Sequence, residues 1–153
     1  MADAYEDRIA DAMVTELNAA ARDWDALFNS EGTTAAKVYS KRYSGSDLAT
    51  LKCAVVPTRI ERVARLARSN KREFRYVLEI HLIRTFGTSD DNDDIETWNT
   101  AAEQIQDWFD DNHEVITNWR CLVGDRASVI DFEAFYPDRT WETIIEVFVQ
   151  GFR

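Results

Sequence analysis

The side chains that could act in catalysis are few and stand apart from one another. The chain has two histidines, His81 and His113, and two cysteines, Cys53 and Cys121. A general base needs a nucleophile or an orienting carboxylate within reach, and neither histidine stands in such a motif. The cysteines are too few and too far apart for a zinc motif or a disulfide framework, which favours reduced, buried thiols. The sequence therefore predicts neither an enzyme nor a cofactor, and we expect His81 to be a surface or interface side chain.

An acidic run at positions 90–94 is the nearest approach to a metal site. Asp90, Asn92 and Asp94 have the alternate spacing of the first ligands in an EF-hand calcium loop. The match ends there, because Ile95 stands where that loop needs glycine and Ala101 stands where it needs a bidentate glutamate. Acidic residues also favour the start of a helix, where they interact with the helix dipole. The run is therefore predicted to begin a helix and not to form a metal site, with weak binding of a divalent ion by the acidic cluster as the alternative.

Charge is distributed unevenly along a chain whose formal net charge is −10. Positions 57–75 carry seven basic and two acidic residues, whereas the rest of the chain carries 11 basic and 26 acidic residues. Such separation suits a protein that contacts further copies of itself, or other proteins, through complementary surfaces. We predict a subunit interface between a basic set and an acidic set, the latter either at 90–94 or at 107–114. The residues expected there are Arg59, Arg62, Arg65, Arg68, Lys71 and Arg72, with Asp90, Asp91, Asp93 and Asp94.

The basic stretch has other interpretations. A small nucleic-acid-binding or partner-binding module could use it, although the acidic balance of the whole chain repels phosphates and no aromatic residue is interleaved at 59–72 for base stacking. It could also be a solvated connection between two elements. A metal-dependent enzyme in which Asp90, Asp94 and Asp131 converge is a third class, and we rank it below assembly and binding.

Hydrophobic periodicity indicates which elements position these residues. Apolar residues spaced as a helix face predict helices at 5–17 and 95–109, and alternation predicts a long strand at 74–86 and a final strand at 141–152. Shorter strands are expected at 37–43, 51–56 and 128–135, with Pro57 and Pro137 ending the last two, a loop at 28–34, and no assignment at 58–71. Together they predict one α+β domain, 1–153, with a mainly antiparallel sheet of about four to five strands and two principal helices packed on it.

No apolar run approaches the ~20 residues that span a bilayer, and the first 17 residues lack the apolar centre of a signal peptide. We therefore expect a protein that is made and kept in a cytoplasm, without membrane contact.

The order of these elements resembles small tail-completion, or tail-terminator, proteins of long-tailed bacteriophages. Positions 47–57, DLATLKCAVVP, look like that family's D-L…L-K…V-V-P stretch, which a basic connection and a long strand beginning with an aromatic residue follow in both. The resemblance implies a structural virion protein, assembled in the cytoplasm of the bacterial host, whose hexameric ring ends the tail tube. It implies contacts with the tail tube protein and the head–tail connector protein, DNA passing only through the ring lumen, and no catalysis. A connector or another neck protein of the same virion is the alternative.

Overall fold

The fold is an α+β arrangement of one sheet and three helices, as a computed structural model shows for residues 4–39, 43, 47–65, 72–86, 92–111, 114–116, 119–131 and 139–152. The predicted class, a mainly antiparallel sheet with helices packed on it, is confirmed. The elements are α1 (Tyr5–Leu17), α2 (Asp25–Glu31), β1 (Ala36–Lys37), β2 (Lys52–Arg65), β3 (Arg72–Phe86), α3 (Asn92–Asp111), β4 (Glu114–Ile116), β5 (Trp119–Asp131) and β6 (Arg139–Phe152).

The six described strands lie in the order β1-β2-β3-β6-β5-β4. The short strand β1 runs parallel to β2, and every other neighbouring pair is antiparallel. The four long strands β2, β3, β6 and β5 therefore form the body of the sheet, with a two-residue strand on one side and a three-residue strand on the other.

One face of the sheet carries the hydrophobic core. On β3 this core face presents Tyr76, Leu78, Ile80 and Leu82, and on β6 the odd positions from 141 to 149 are buried, as the alternation predicts. The helices α1 and α3 cover this face with side chains spaced three or four residues apart. Buried helix residues in this cluster are Ile9, Met13, Leu17, Trp98, Ala102, Ile105 and Phe109. We call the opposite side, which carries Arg75, Glu79 and His81, the second face.

The predicted loop at 28–34 is wrong in its first half, because α2 continues to Glu31. Its end is set by Gly32, which adopts a left-handed conformation with φ of 65° that glycine tolerates without steric cost. The N–H of Thr33 then donates to the carbonyl of Phe28 at 2.8 Å. Burial of Phe28 against the core stabilises this seven-residue helix, and the polar sequence that follows the phenylalanine obscures it.

Pro57 does not end the second strand, contrary to the prediction. β2 pairs with β3 from Lys52 to Arg65, with register shifts between Pro57 and Arg59 and between Arg62 and Ala64. Proline is tolerated in a strand where its missing N–H faces an unpaired edge or a bulge, and both conditions hold here. Residues 58–65, left unassigned above, are therefore strand. The strand expected at 37–43 is shorter than predicted, since β1 covers only Ala36–Lys37; positions 40–42 lie outside the described residues.

The strand expected at 128–135 begins nine residues earlier, at Trp119. A register shift between Val123 and Arg126 in the pairing with β6 marks a bulge, which interrupts the two-residue alternation by which a strand is recognised. The end predicted near Pro137 lies outside the described residues. The predicted strands at 74–86 and 141–152 are confirmed, each extended by two residues at its N-terminal end.

Candidate subunit interface

The described residues contain no group of three or more histidine, cysteine or acidic side chains placed to hold a metal ion. Cys53 and Cys121 lie on different strands as free, buried thiols. Burial raises the pKa of each thiol to about 12, so both stay protonated and poorly nucleophilic near neutral pH. Asp94 lies in the first turn of α3 and Asp131 ends β5, while Asp90 lies outside the described residues.

His81 is buried and not at the surface, so that expectation is wrong. Its side chain is 5% exposed on the second face, where Nε2 lies 2.6 Å from Oε2 of Glu79 and Nδ1 lies 3.4 Å from Oε1 of Glu142. Glu142 belongs to β6, which sequence reasoning could not place beside β3. The histidine thus connects its own strand, β3, to Glu142 of β6.

The described residues of the basic stretch lie in β2 and β3, toward the end of the sheet where Arg65 pairs with Arg72, which we call the lower end. Part of their charge is neutralised there. On the second face, Nε of Arg59 donates to Oε1 of Glu61 at 2.9 Å, and Nη1 of Arg59 lies 3.8 Å from Glu146. Nη1 of Arg75 lies 3.5 Å from the other oxygen of Glu61. The hydrogen bond from Arg59 lowers the pKa of the Glu61 carboxyl. Two arginines of the stretch therefore have carboxylate partners within their own subunit.

Arg62 and Arg72 are exposed and form no ion pair with the described residues. Arg65 ends β2 directly opposite Arg72 in the ladder. Of the predicted basic set, Arg68 and Lys71 lie outside the described residues. Among the described side chains of this hairpin, the arginines without an ion pair to a described residue are therefore Arg62 and Arg72.

The acidic residues predicted for the interface lie at the other end of the sheet. Asp93 and Asp94 stand in the first turn of α3, with Asp94 exposed, whereas Asp90 and Asp91 lie outside the described residues. Trp98, one turn further along α3, contacts Phe86 at the upper end of β3, with ring centroids 6.2 Å apart. Along β3 the basic set lies about 30–45 Å from Phe86 at ~3.3 Å per residue, since Arg59 is level with Val77 and Arg72 begins the strand, which is too far for contact within one subunit.

Acidic charge also runs along the whole of α3, which has seven acidic residues and no basic one. This helix packs on the β5–β6 side of the sheet, where the guanidinium of Arg126 reaches the carbonyl of Asn99 at 3.4 Å and Glu103 at 3.5 Å. Glu103 has a 65% exposed side chain, and Asp107 is also exposed. The described residues therefore present exposed carboxylates of α3 on the β5–β6 side and, on the β2–β3 side, Arg62 and Arg72 without an ion pair to a described residue.

A cleft of about 500 Å³ lies between the start of α2 and the first half of α3. Its described lining includes the carboxylates of Asp23 and Glu96 together with Trp24, Thr97 and Thr100, but no histidine, cysteine, lysine or arginine. Along the described part of the chain, none of the helices has the length and apolarity that a bilayer crossing requires.

Comparison with known proteins identifies no family for this chain. No family model matches it, and no curated protein matches it. One solved structure, whose name describes no function, is similar over 95% of this chain and 96% of its own length, at 14% identity and a TM-score of 0.45.

Proposed function

We propose that this protein is a structural subunit that assembles head to tail into a ring, as a tail terminator of a long-tailed bacteriophage does. In this role the ring, a hexamer in the family that the sequence resembles, would cap the tail tube in the virion. Its partners would be the tail tube protein and the head–tail connector protein, with DNA passing through the lumen.

The observation that carries the proposal is the distribution of charge over the two sides of the sheet. Arg62 and Arg72, which form no ion pair with the described residues, lie on the β2–β3 side, and α3, whose charged residues are all acidic, lies on the β5–β6 side. Attraction between opposite charges on different flanks favours a heterologous contact, in which one flank of a subunit meets the other flank of its neighbour. Repeating such a contact around an axis closes a ring. Partial neutralisation of the hairpin by Glu61 also weakens the case for a phosphate-binding surface.

The proposal is tested by the solution mass of the protein, measured by light scattering over a range of concentrations with and without Mg²⁺, followed by negative-stain imaging. We expect a mass near six subunits and annular particles. The variant Arg62→Glu should lower the mass to that of the monomer and leave the circular dichroism spectrum unchanged. Arg8→Glu changes the net charge equally at an exposed position of α1 and should leave the ring intact.

Two outcomes would contradict the proposal. A monomeric mass under every condition would exclude a freestanding ring. Binding of an oligonucleotide that weakens steeply with salt and disappears in Arg62→Glu would instead assign the hairpin to nucleic-acid binding.

A further inference from the structure

Both outer long strands of the sheet have an edge that no described residue pairs with. β1 pairs only with Ala54 and Val55, which leaves residues 56–65 of β2 unpaired on that side. β4 pairs only with Trp119 and Arg120, which leaves residues 121–131 of β5 unpaired on the other. Each free edge is about 30 Å long at ~3.3 Å per residue, and exposed edges of this length are templates for pairing with another strand.

We infer that the free edge of β2 in one copy pairs with the free edge of β5 in the next copy, so that the sheet continues from subunit to subunit. This inference rests on the proposed ring and specifies its interface. The occupant of each edge is a second copy because the two edges complement each other in strand direction, register and charge.

Strand direction is the first point of agreement. Three antiparallel pairings separate β2 from β5 in the sheet, so these two strands run in opposite directions. Rotation about a ring axis does not reverse the direction of a strand relative to that axis. Wherever β2 of one copy lies beside β5 of the next, the pair is therefore antiparallel, which is the slightly more stable kind of ladder.

The outward-facing backbone groups of β2 can be identified from one hydrogen bond. The N–H of Val38 donates to the carbonyl of Val55 at 2.9 Å, so Val55 directs its backbone groups away from β3. Residues of an antiparallel ladder alternate between facing one neighbour and facing the other. This alternation continues along β2 past the bulge after Pro57. It places the N–H groups of Ile60 and Arg62 at the free edge.

The same alternation, carried through β3 and β6, identifies the outward groups of β5. Val123, Arg126 and Ser128 direct their backbone groups away from β6, with the bulge lying between the first two. If Ile60 is placed opposite Arg126, Arg62 lies opposite Val123. Two residues along β2 then match three residues along β5, because the bulge adds one residue to β5 between Val123 and Arg126. Both pairs lie on the core face, because the residues beside them in β3 and β6 belong to that face. These neighbours are Tyr76 and Phe74 of β3 and Ile145 and Val147 of β6. The short strands β1 and β4 fall beyond the two ends of the paired stretch.

This register also agrees with ring geometry. Within one subunit, Ile60 pairs with Tyr76 of β3. Arg126 pairs with Ile145 of β6, which in turn pairs with Ile80 of β3, so Ile60 and Arg126 differ in height by the four residues between Tyr76 and Ile80. The next copy must therefore slide by four residues, about 14 Å, over a four-strand repeat about 19 Å wide. For the sheet to close into a ring without rising, its strands must tilt from the ring axis. The tangent of the tilt angle equals the shift divided by the width of the repeat, which gives about 36°. Closed sheets have strand tilts of roughly 35–45°.

Charge complementarity completes the match. Arg62 would lie beside Val123 of the next copy, one register step below Arg126, which contacts Glu103 of α3. Asp107 follows Glu103 by four residues and so occupies the same side of that helix. Arg62, which forms no ion pair with the described residues of its own subunit, would thereby approach two exposed carboxylates of its neighbour.

A disulfide trap tests the register. Residues that face each other in an antiparallel pair have Cα atoms about 5.5 Å apart, which a disulfide spans. The double variant Ile60→Cys with Arg126→Cys, which keeps Arg62, should therefore give, after mild oxidation, a ladder of linked subunits on a non-reducing gel. An equal mixture of the two single variants should give dimers only, because each subunit then has one engineered thiol. The native protein is the control, since Cys53 and Cys121 are buried.

A proline variant provides an independent test. Ile60→Pro removes an N–H that faces the free edge and leaves the β2–β3 ladder intact, so the monomer should fold. We expect the apparent dissociation constant of the multimer to rise at least about tenfold, as loss of a hydrogen bond and steric obstruction predict. Ile60→Thr keeps both the N–H and the branched side chain and should assemble normally.

The outcomes separate the inference from the proposed function. A linked ladder together with disruption by Ile60→Pro supports the interface. An annular multimer that gives no ladder and tolerates the proline overturns the interface while the ring proposal stands. A ladder formed in open filaments supports the interface and overturns the ring. A monomer under all conditions overturns both.

Discussion

Gly151 on β6 provides a direct test of how tightly the lower end of the core is packed. A methyl group at this position would lie 2.6, 2.7 and 3.0 Å from three atoms of the Trp119 ring. Trp119 is 5% exposed, and its ring also contacts Tyr5 and Tyr76, with centroids 5.5 and 5.4 Å away. The indole is held on several sides and cannot withdraw without disturbing these neighbours. We therefore expect Gly151→Ala to be destabilising.

The expected magnitude follows from the cost of overpacking. Forcing one carbon into a filled core costs about 1–3 kcal/mol, and the strain here is at rigid ring atoms, which favours the upper part of that range. Replacing glycine in a strand recovers about 0.5 kcal/mol of chain entropy, which leaves a net loss of about 2 kcal/mol. For a domain of this size the melting temperature should fall by about 4–8 °C. Thermal unfolding followed by circular dichroism measures this directly.

Two further variants determine the cause of any change. Gly32→Ala has no atom within 4 Å of the new methyl group, but its φ of 65° costs about 1–2 kcal/mol, so it reports backbone strain without a clash. Trp119→Leu creates space beside residue 151, and adding Gly151→Ala in that background should cost much less than in the native protein. An unchanged melting temperature for Gly151→Ala, or an equal cost in both backgrounds, would refute the packing argument.

Two predictions concern the buried charges and thiols. Glu31 accepts hydrogen bonds from Nε of Arg84 at 3.0 Å and from the N–H of Leu51 at 3.1 Å, and the side chains of Glu31 and Arg84 are both less than one fifth exposed. Glu31→Ala should therefore lower the free energy of unfolding, measured in urea, by about 3 kcal/mol, and Glu31→Gln should lower it by less. Equal losses for the two variants would contradict a charge-dependent contact. The raised pKa of about 12 at Cys53 and Cys121 means that above about pH 9 the unfolded chain loses thiol protons that the native chain keeps. Stability should therefore fall as pH rises from about 9 to 12, by up to about 1.4 kcal/mol per pH unit for each thiol, and Cys53→Ala should reduce that slope in urea titrations at several pH values.

Local periodicity was sufficient for the elements whose apolar residues repeat without interruption. The spacing of Ile9, Met13 and Leu17 predicts α1, and the alternation along β3 and β6 predicts both central strands correctly. The failures coincide with irregularities. Pro57 has no N–H to donate, but it lies where none is needed, and the bulge between Val123 and Arg126 hides the first half of β5. Whether a proline or a bulge is tolerated depends on which strand lies alongside, and that pairing is not local in sequence.

The candidate interface was predictable in its charge and not in its geometry. The sequence predicts that a basic stretch and acidic segments are separate, and β3 places the former far from Asp94. It does not reveal that Glu61 neutralises Arg59 and Arg75, since the second of these contacts depends on the register between β2 and β3. The free edges were equally inaccessible, because an edge is defined by the absence of a neighbour among all the strands of the sheet.

The arginines of β2 also bear on which strand its free edge accepts. If two copies paired β2 with β2 across a two-fold axis, Arg62 and the other basic residues of both edges would meet in one narrow strip, and the only acidic residue there, Glu61, is already engaged. Like charges at such distances disfavour that isologous dimer, and the carboxylates of α3 disfavour the pairing of β5 with β5 in the same way. Pairing between the two different edges removes both repulsions. The charge pattern therefore selects a heterologous contact, and a heterologous contact leads to a ring or a filament and never to a closed dimer.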